Sequence, residues 1–207
     1  MADIFVAPKK KEKNHLPLPI YSENVKTFSA FCKNPKGVTF QTQKPDEKII
    51  LLLRAHFITN IAWIIVSLVL IILPVIILFF LPRLGVNFLS SSQAIRFTGI
   101  YVLFYSLIVF SYILINFLHW FYNVFLVTTQ RVVDIDYSDI VVHNIAVTNL
   151  EHIEDVNYTQ SGFIPTIFNY GSLFVQTAGN ERNFEALSIP RPREATHIIG
   201  DLIGKTK

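Results

Sequence analysis

Three aspartates, Asp134, Asp136 and Asp139, stand two and three residues apart, a spacing that invites a cation site. Asp134 and Asp136 lie in TQRVVDIDY, where Val133, Ile135 and Tyr137 alternate with Val132, Asp134 and Asp136. Period-two alternation places Asp134 and Asp136 on one strand face, and the expectation is a face turned to water rather than a calcium site. His143, His152 and His197 have no carboxylate or second histidine at a metal-ligand spacing, and the chain contains no GxSxG, HExxH, P-loop or GxGxxG motif. Its one cysteine, Cys32, excludes an internal disulfide and a cysteine-built metal site. No acid, base and nucleophile converge, so a non-enzymatic protein with no metal and no cofactor is expected.

Binding chemistry has more candidates. Lys9, Lys10, Lys11 and Lys13 form a cationic cluster that is either attracted to anionic cytoplasmic lipid or is a solvated tail. Arg191 and Arg193 flank Pro192 and either meet phosphate or an acidic partner or form the polar cap of a helix start. SGFIPTIFNYG carries Phe163, Ile164, Ile167 and Phe168 together. It reads as an apolar loop touching lipid or a partner, or as a short helix filling the open end of a sheet.

The elements that position these groups follow from hydropathy. The 207-residue chain is 51% hydrophobic and 16% charged, against roughly 25% charged in an ordinary soluble domain. The deficit is concentrated in two runs. Residues 58–81 hold no ionisable group and, at about 1.5 Å per residue, extend far enough to cross a hydrocarbon layer of roughly 30 Å. Residues 99–118 form the second run, bounded by Arg96 and by His119, Trp120, Phe121 and Tyr122. Both are read as transmembrane helices, joined by an extracytoplasmic loop over 82–98. Arg54, His56, His119, Trp120 and Tyr122 stand at the span edges, where long polar and amphipathic side chains anchor in the interface. Pro74 interrupts the first span, and Ser67, Ser106, Ser111 and Asn116 are available to hydrogen-bond across a helix pair. The apolar cores hold no Asp, Glu, Lys, Arg or His, which argues against an ion or proton pathway.

Ten Lys and Arg precede the first span, two lie in the loop and six follow the second. Positive charge near the spans favours the cytoplasmic side, so both termini are predicted cytoplasmic in a multi-pass protein of the cell (plasma or inner) membrane. Residues 1–39, with Pro8, Pro17 and Pro19, read as a flexible basic arm. The juxtamembrane segment 40–57 suits either a strand or an interfacial helix. Beyond the spans the period becomes two: six strands are expected at 123–128, 131–137, 140–147, 153–159, 172–177 and 183–189. Ala195, Ile198, Ile199, Leu202 and Ile203 then fall on one stripe of a closing helix.

A strongly bent sheet plugged by a C-terminal amphipathic helix is the architecture of the pleckstrin-homology superfold. EKIILLLRAHF, FLVTTQRVVDID and LEHIEDVNYTQSGFIPTIFNYGSLFVQTAG, in that order about two spans, resemble the YdbS-like bacterial pleckstrin-homology (bPH) membrane proteins over about residues 40–204. The resemblance implies a membrane α-helical hairpin of two transmembrane helices followed, over 119–204, by a mostly-β pleckstrin-homology-like domain with a C-terminal capping helix. Domains of that kind which bind phosphoinositides gather several Lys and Arg at the first hairpin, and here Thr128 to Arg131 offers Arg131 alone. The expected function is a membrane-anchored interaction or scaffold module at the cytoplasmic face. It would meet lipid through its spans and bind a protein partner or a second copy of itself, with no nucleic acid. The alternative is a lipid-sensing or membrane-stress protein that uses the Lys-rich arm and the Phe163 to Phe168 loop on the leaflet.

Overall fold

The computed structural model describes residues 28–40, 42–85, 91–137, 143–178 and 184–206. The cluster Lys9 to Lys13 and Asp139 lie outside the described residues. Two helical stretches, Phe57–Phe80 and Ser92–Tyr122, are long and apolar enough to cross a membrane, and protein covers only 6% of the apolar window of each. That exposure distinguishes them from the core helices of a soluble protein, whose apolar faces are enclosed. The first stretch opens with a 3-10 turn, Phe57–Asn60, and continues as α1 (Ile61–Phe80); the second is α2 (Ser92–Tyr122).

Pro74 lacks the amide proton that the Leu70 carbonyl would accept from within α1. Tyr105 of α2 supplies the replacement, its hydroxyl donating to Leu70 O at 2.7 Å. Three of the four polar residues expected to bridge the helices bond within their own helix instead: Ser67 to Trp63 O, Ser106 to Leu103 O and Asn116 to Tyr112 O. A short side chain on a helix finds its own preceding carbonyls before it reaches a neighbour.

The strands form two antiparallel sheets. One has five in the order β1 (Phe31–Lys33), β2 (Ile49–Leu53), β3 (Val124–Thr128), β4 (Arg131–Tyr137) and β5 (His143–Asn149). The other has three, β6 (Ile153–Thr159), β7 (Tyr170–Thr177) and β8 (Phe184–Pro190). Thus the stretch expected as an arm contains a strand, and of the two readings of the juxtamembrane segment the strand is the one realised. β2 pairs with β3 in the register Leu51 to Val127, Leu52 to Leu126 and Leu53 to Phe125. Residues 54–123, both long helices included, are therefore an insertion between two neighbouring strands.

IILLL becomes a strand because both of its faces are covered, so it needs no polar alternation. Leu51 and Leu53 join the core between the sheets, with Phe125, Val127, Val132, Leu173 and Val175. Leu52 joins a second cluster with Cys32, Leu126 and Val133, against which Val38 and Phe40 pack. The closing helix α4 (Pro192–Thr206) lies on β6 and β7 and buries Ala195, Ile199, Leu202 and Ile203. Gly171 lets β7 close against its neighbour: a Cβ there would lie 2.6 Å from Thr159 O.

Candidate functional site at the base of the helical hairpin

Arg54, Ala55 and His56 carry the chain from β2 into the helical stretch, and His119 to Tyr122 return it to β3. These residues clamp the two helix ends together. The Trp120 indole N–H donates to Ala55 O at 2.8 Å and the ring, 6% exposed, stacks on Phe28. Its donor is thus satisfied inside the protein. The Arg54 guanidinium lies 4.6 Å from the centre of the Phe121 ring, and burial lowers its pKa. Tyr122 packs on Tyr137 with ring centres 5.4 Å apart.

His56 ties the first helical stretch to the three-stranded sheet. Its backbone N–H donates to Ser188 O at 2.7 Å, and its ring stacks on Tyr170 at 5.3 Å. Nδ1 accepts the Ile58 N–H at 3.2 Å, capping the 3-10 turn. Burial lowers the His56 pKa below its ordinary 6.5, which favours the neutral ring that this acceptor role requires.

Two cavities flank this junction. The first, about 400 Å³, brings together Arg54, His119 and Trp120 with Asp134, Asp136 and Glu185. The expectation that Asp134 faces open water is corrected here, whereas Asp136 is exposed as expected. Asp134 is half-buried and both carboxylates line the cavity; burial first, and repulsion from Asp136 second, raise the Asp134 pKa to about 6. Alternation misplaced Asp134 because Val132 and Val133 are both fully buried, so both faces of β4 are covered in its first half. Asp134 shares its face with Val132, whose side chain belongs to the core between the sheets.

The second cavity, about 480 Å³, collects His56, Phe168 and Arg191 with Lys33 and Phe57. Arg191 has φ +50°, its carbonyl accepts the Glu194 and Ala195 N–H groups at the start of α4, and its guanidinium lies 3.6 Å from the Glu194 carboxylate. Lys33 ion-pairs with the same carboxylate. Arg193 is exposed on α4 and lines neither cavity.

Beside the second cavity stands α3 (Phe163–Phe168). It is the short helix expected from FIPTIF, but it does not fill the sheet: Phe163 is 79% exposed, Ile164 55%, Ile167 57% and Phe168 50%. The helix is nonetheless held at both ends. Gln160 Nε2 donates to Pro165 O and the Thr166 hydroxyl to Gly162 O, each at 2.7 Å, and Asn169 ends the helix in the left-handed region. Four large apolar side chains are thus presented to the surroundings next to the first turn of the first helical stretch.

The Thr128 to Arg131 corner is occupied from within. Arg131 grips the Glu47 carboxylate with Nε at 2.8 Å and Nη2 at 2.9 Å, while the Thr128 hydroxyl and the Lys44 N–H complete its shell at 2.7 and 3.0 Å. Burial disfavours the ionised Glu47, yet these donors outweigh it and hold its pKa at about 2. With its guanidinium committed to Glu47, Arg131 is poorly placed to receive an anion.

Among the described residues no group of three or more His, Cys, Asp or Glu is placed to hold a metal ion. No family model, curated protein or solved structure matches the chain. Its chemistry therefore rests on its own geometry. The base of the hairpin offers an exposed apolar helix beside a cavity lined by His56, Lys33 and Arg191, and a second cavity lined by Asp134, Asp136 and Glu185.

Proposed function

We propose that the protein is a non-enzymatic, membrane-anchored module of the pleckstrin-homology type that rests on the cytoplasmic leaflet and engages it through α3. The carrying observation is the exposure of Phe163, Ile164, Ile167 and Phe168 on a pinned helix whose last residue shares a cavity with Phe57, where the first helical stretch begins. Once α1 and α2 cross the bilayer, this position puts α3 at headgroup depth, and its apolar face loses contact with water by entering the acyl boundary. Two crossings return the chain to the side it left, as the pairing of β2 with β3 requires. The resemblance to bacterial pleckstrin-homology membrane proteins supports the same assignment of the β module.

A nitroxide on Ile164→Cys, in a Cys32→Ala background and in the full chain in liposomes, tests the leaflet contact. The expected result is relaxation by oxygen, which partitions into lipid, and protection from a water-soluble nickel chelate. Relaxation by the chelate alone would refute it. A second reading, self-association, is favoured by one feature: β5 is an edge of the five-stranded sheet and exposes Ile145 (51%) and Val147 (42%).

A further inference from the structure

We infer that α3 is a gauge of leaflet packing: its ligand is acyl chain left uncovered between headgroups, and its engagement is set by how loosely the leaflet is packed, not by headgroup charge. This property rests on the leaflet contact of α3 and names what regulates that contact.

Phe163, Ile164, Ile167 and Phe168 fall at i, i+1, i+4 and i+5, so α3 gathers its four large apolar side chains on one face and leaves Pro165 and Thr166 on the other. Such a face is the half of an interfacial helix that enters lipid, and the usual other half is a row of Lys and Arg. Here that row is missing. Residues 156–180 contain no Asp, Glu, Lys, Arg or His, so neither α3 nor the chain on either side of it supplies the cations that draw a helix to an anionic surface. The cations that share a cavity with Phe168, Lys33 and Arg191, are both ion-paired with Glu194. Burial of the apolar face is then the driving force, opposed by the space that two phenylalanines and two isoleucines need among the acyl chains. That opposition is weak where chains are splayed and strong where they are tightly packed.

No folding step blurs this balance, because α3 is already built. The Asn169 carbonyl at its end accepts the Arg191 N–H at 2.8 Å, and Tyr170, next in sequence, stacks on His56, whose own N–H is held by Ser188 O. Asn169, Ser188 and Arg191 have φ of +51°, +52° and +50°, a region that residues with a side chain keep only where surrounding contacts fix them. Joined in this way to β7, β8 and the entrance of the first helical stretch, α3 enters or leaves lipid by a tilt of the whole β module about the helix bases.

The full chain is placed in nanodiscs, where a water-soluble nickel chelate reaches both faces of the bilayer, with a nitroxide on Ile164→Cys in the Cys32→Ala background. Ile167→Cys gives a second reporter, and Leu68→Cys, 54% exposed on α1, corrects for the oxygen content of each bilayer. Dioleoylphosphatidylcholine and fluid dimyristoylphosphatidylcholine carry the same headgroup and differ in chain packing. The corrected oxygen-to-chelate relaxation ratio at both α3 positions is expected to be several-fold higher in the loosely packed dioleoyl discs, and unchanged when part of that lipid is replaced by dioleoylphosphatidylglycerol. A lipid-like ratio that is equal in the two phosphatidylcholines, or one that climbs with phosphatidylglycerol, would overturn the gauge while leaving the leaflet contact in place. A water-like ratio in every disc would remove the leaflet contact itself and the gauge with it. Shielding from both relaxants in every disc would mean that protein covers α3, and would overturn both.

Discussion

At Glu47 four donors meet one carboxylate whose side chain is fully buried, and removal of that carboxylate should be felt in the stability of the β module. The group is held at about 2, below its ordinary 4.5, so its contribution to stability is complete above pH 4.5 and is lost as pH falls toward 2. Glu47→Gln should therefore lower unfolding stability by about 3 kcal/mol at pH 7, taking about 1.36 kcal/mol for each pH unit of displacement. The deficit relative to the parent should shrink as pH drops from 4.5 to 2. Urea titrations at several pH values measure it; a deficit independent of pH would mean that the carboxylate's charge is not what matters. Neither partner announces the other in the sequence, because Glu47 and Arg131 are 84 residues apart and no local period links them. Asp134 was hidden differently. The rule that assigns one wet face to an alternating strand assumes a single covered face, and the packing of Val38 and Phe40 near Val133 removes that assumption.

The two long helices, the six later strands and α4 were all legible as elements, because uncharged length and period are local properties of a sequence. What joins the elements was less so. The sequence stated that the carbonyl four residues before Pro74 needs a new donor, yet the small polar residues nearest to hand are satisfied by their own helices, and the donor is a longer side chain, Tyr105. Tyr105→Phe keeps the ring and removes only the hydroxyl. It should destabilise the hairpin by about 1 kcal/mol, the usual net contribution of one hydrogen bond. In a Pro74→Ala background residue 74 regains its amide proton and the Leu70 carbonyl regains its own helical partner, so the same substitution should cost almost nothing. A double-mutant cycle on reversible unfolding in mixed micelles reads the difference. Equal costs in both backgrounds would show that the hydroxyl does not serve that carbonyl.

For the molecule as a whole, the decisive fact is that the β module is discontinuous in sequence. β1, three residues long, was too short to be read, and β2 was ambiguous because five consecutive apolar residues beside a span also suit a helix entering lipid. The structure gives both to the sheet, and the piece from residue 119 onward therefore lacks its neighbours to β3. That piece is deprived of Leu51 and Leu53 from the core and of Glu47 from the Arg131 corner, and it exposes the ladder of β3 as a raw edge. Expressed alone it should aggregate. A chain of residues 28–55 joined by a short glycine-containing turn to residues 123–206 restores the β2–β3 hairpin without the helices, since Leu53 and Phe125 are already register partners. This shortened chain should be soluble and β-rich by circular dichroism and should unfold in one cooperative step, while the unbridged piece does none of these. If the unbridged piece folded equally well, β1 and β2 would be peripheral additions and the helical hairpin a leading anchor. If only the bridged chain folds, the hairpin is an insertion, and tension on either helix is delivered straight into the central pair of the five-stranded sheet.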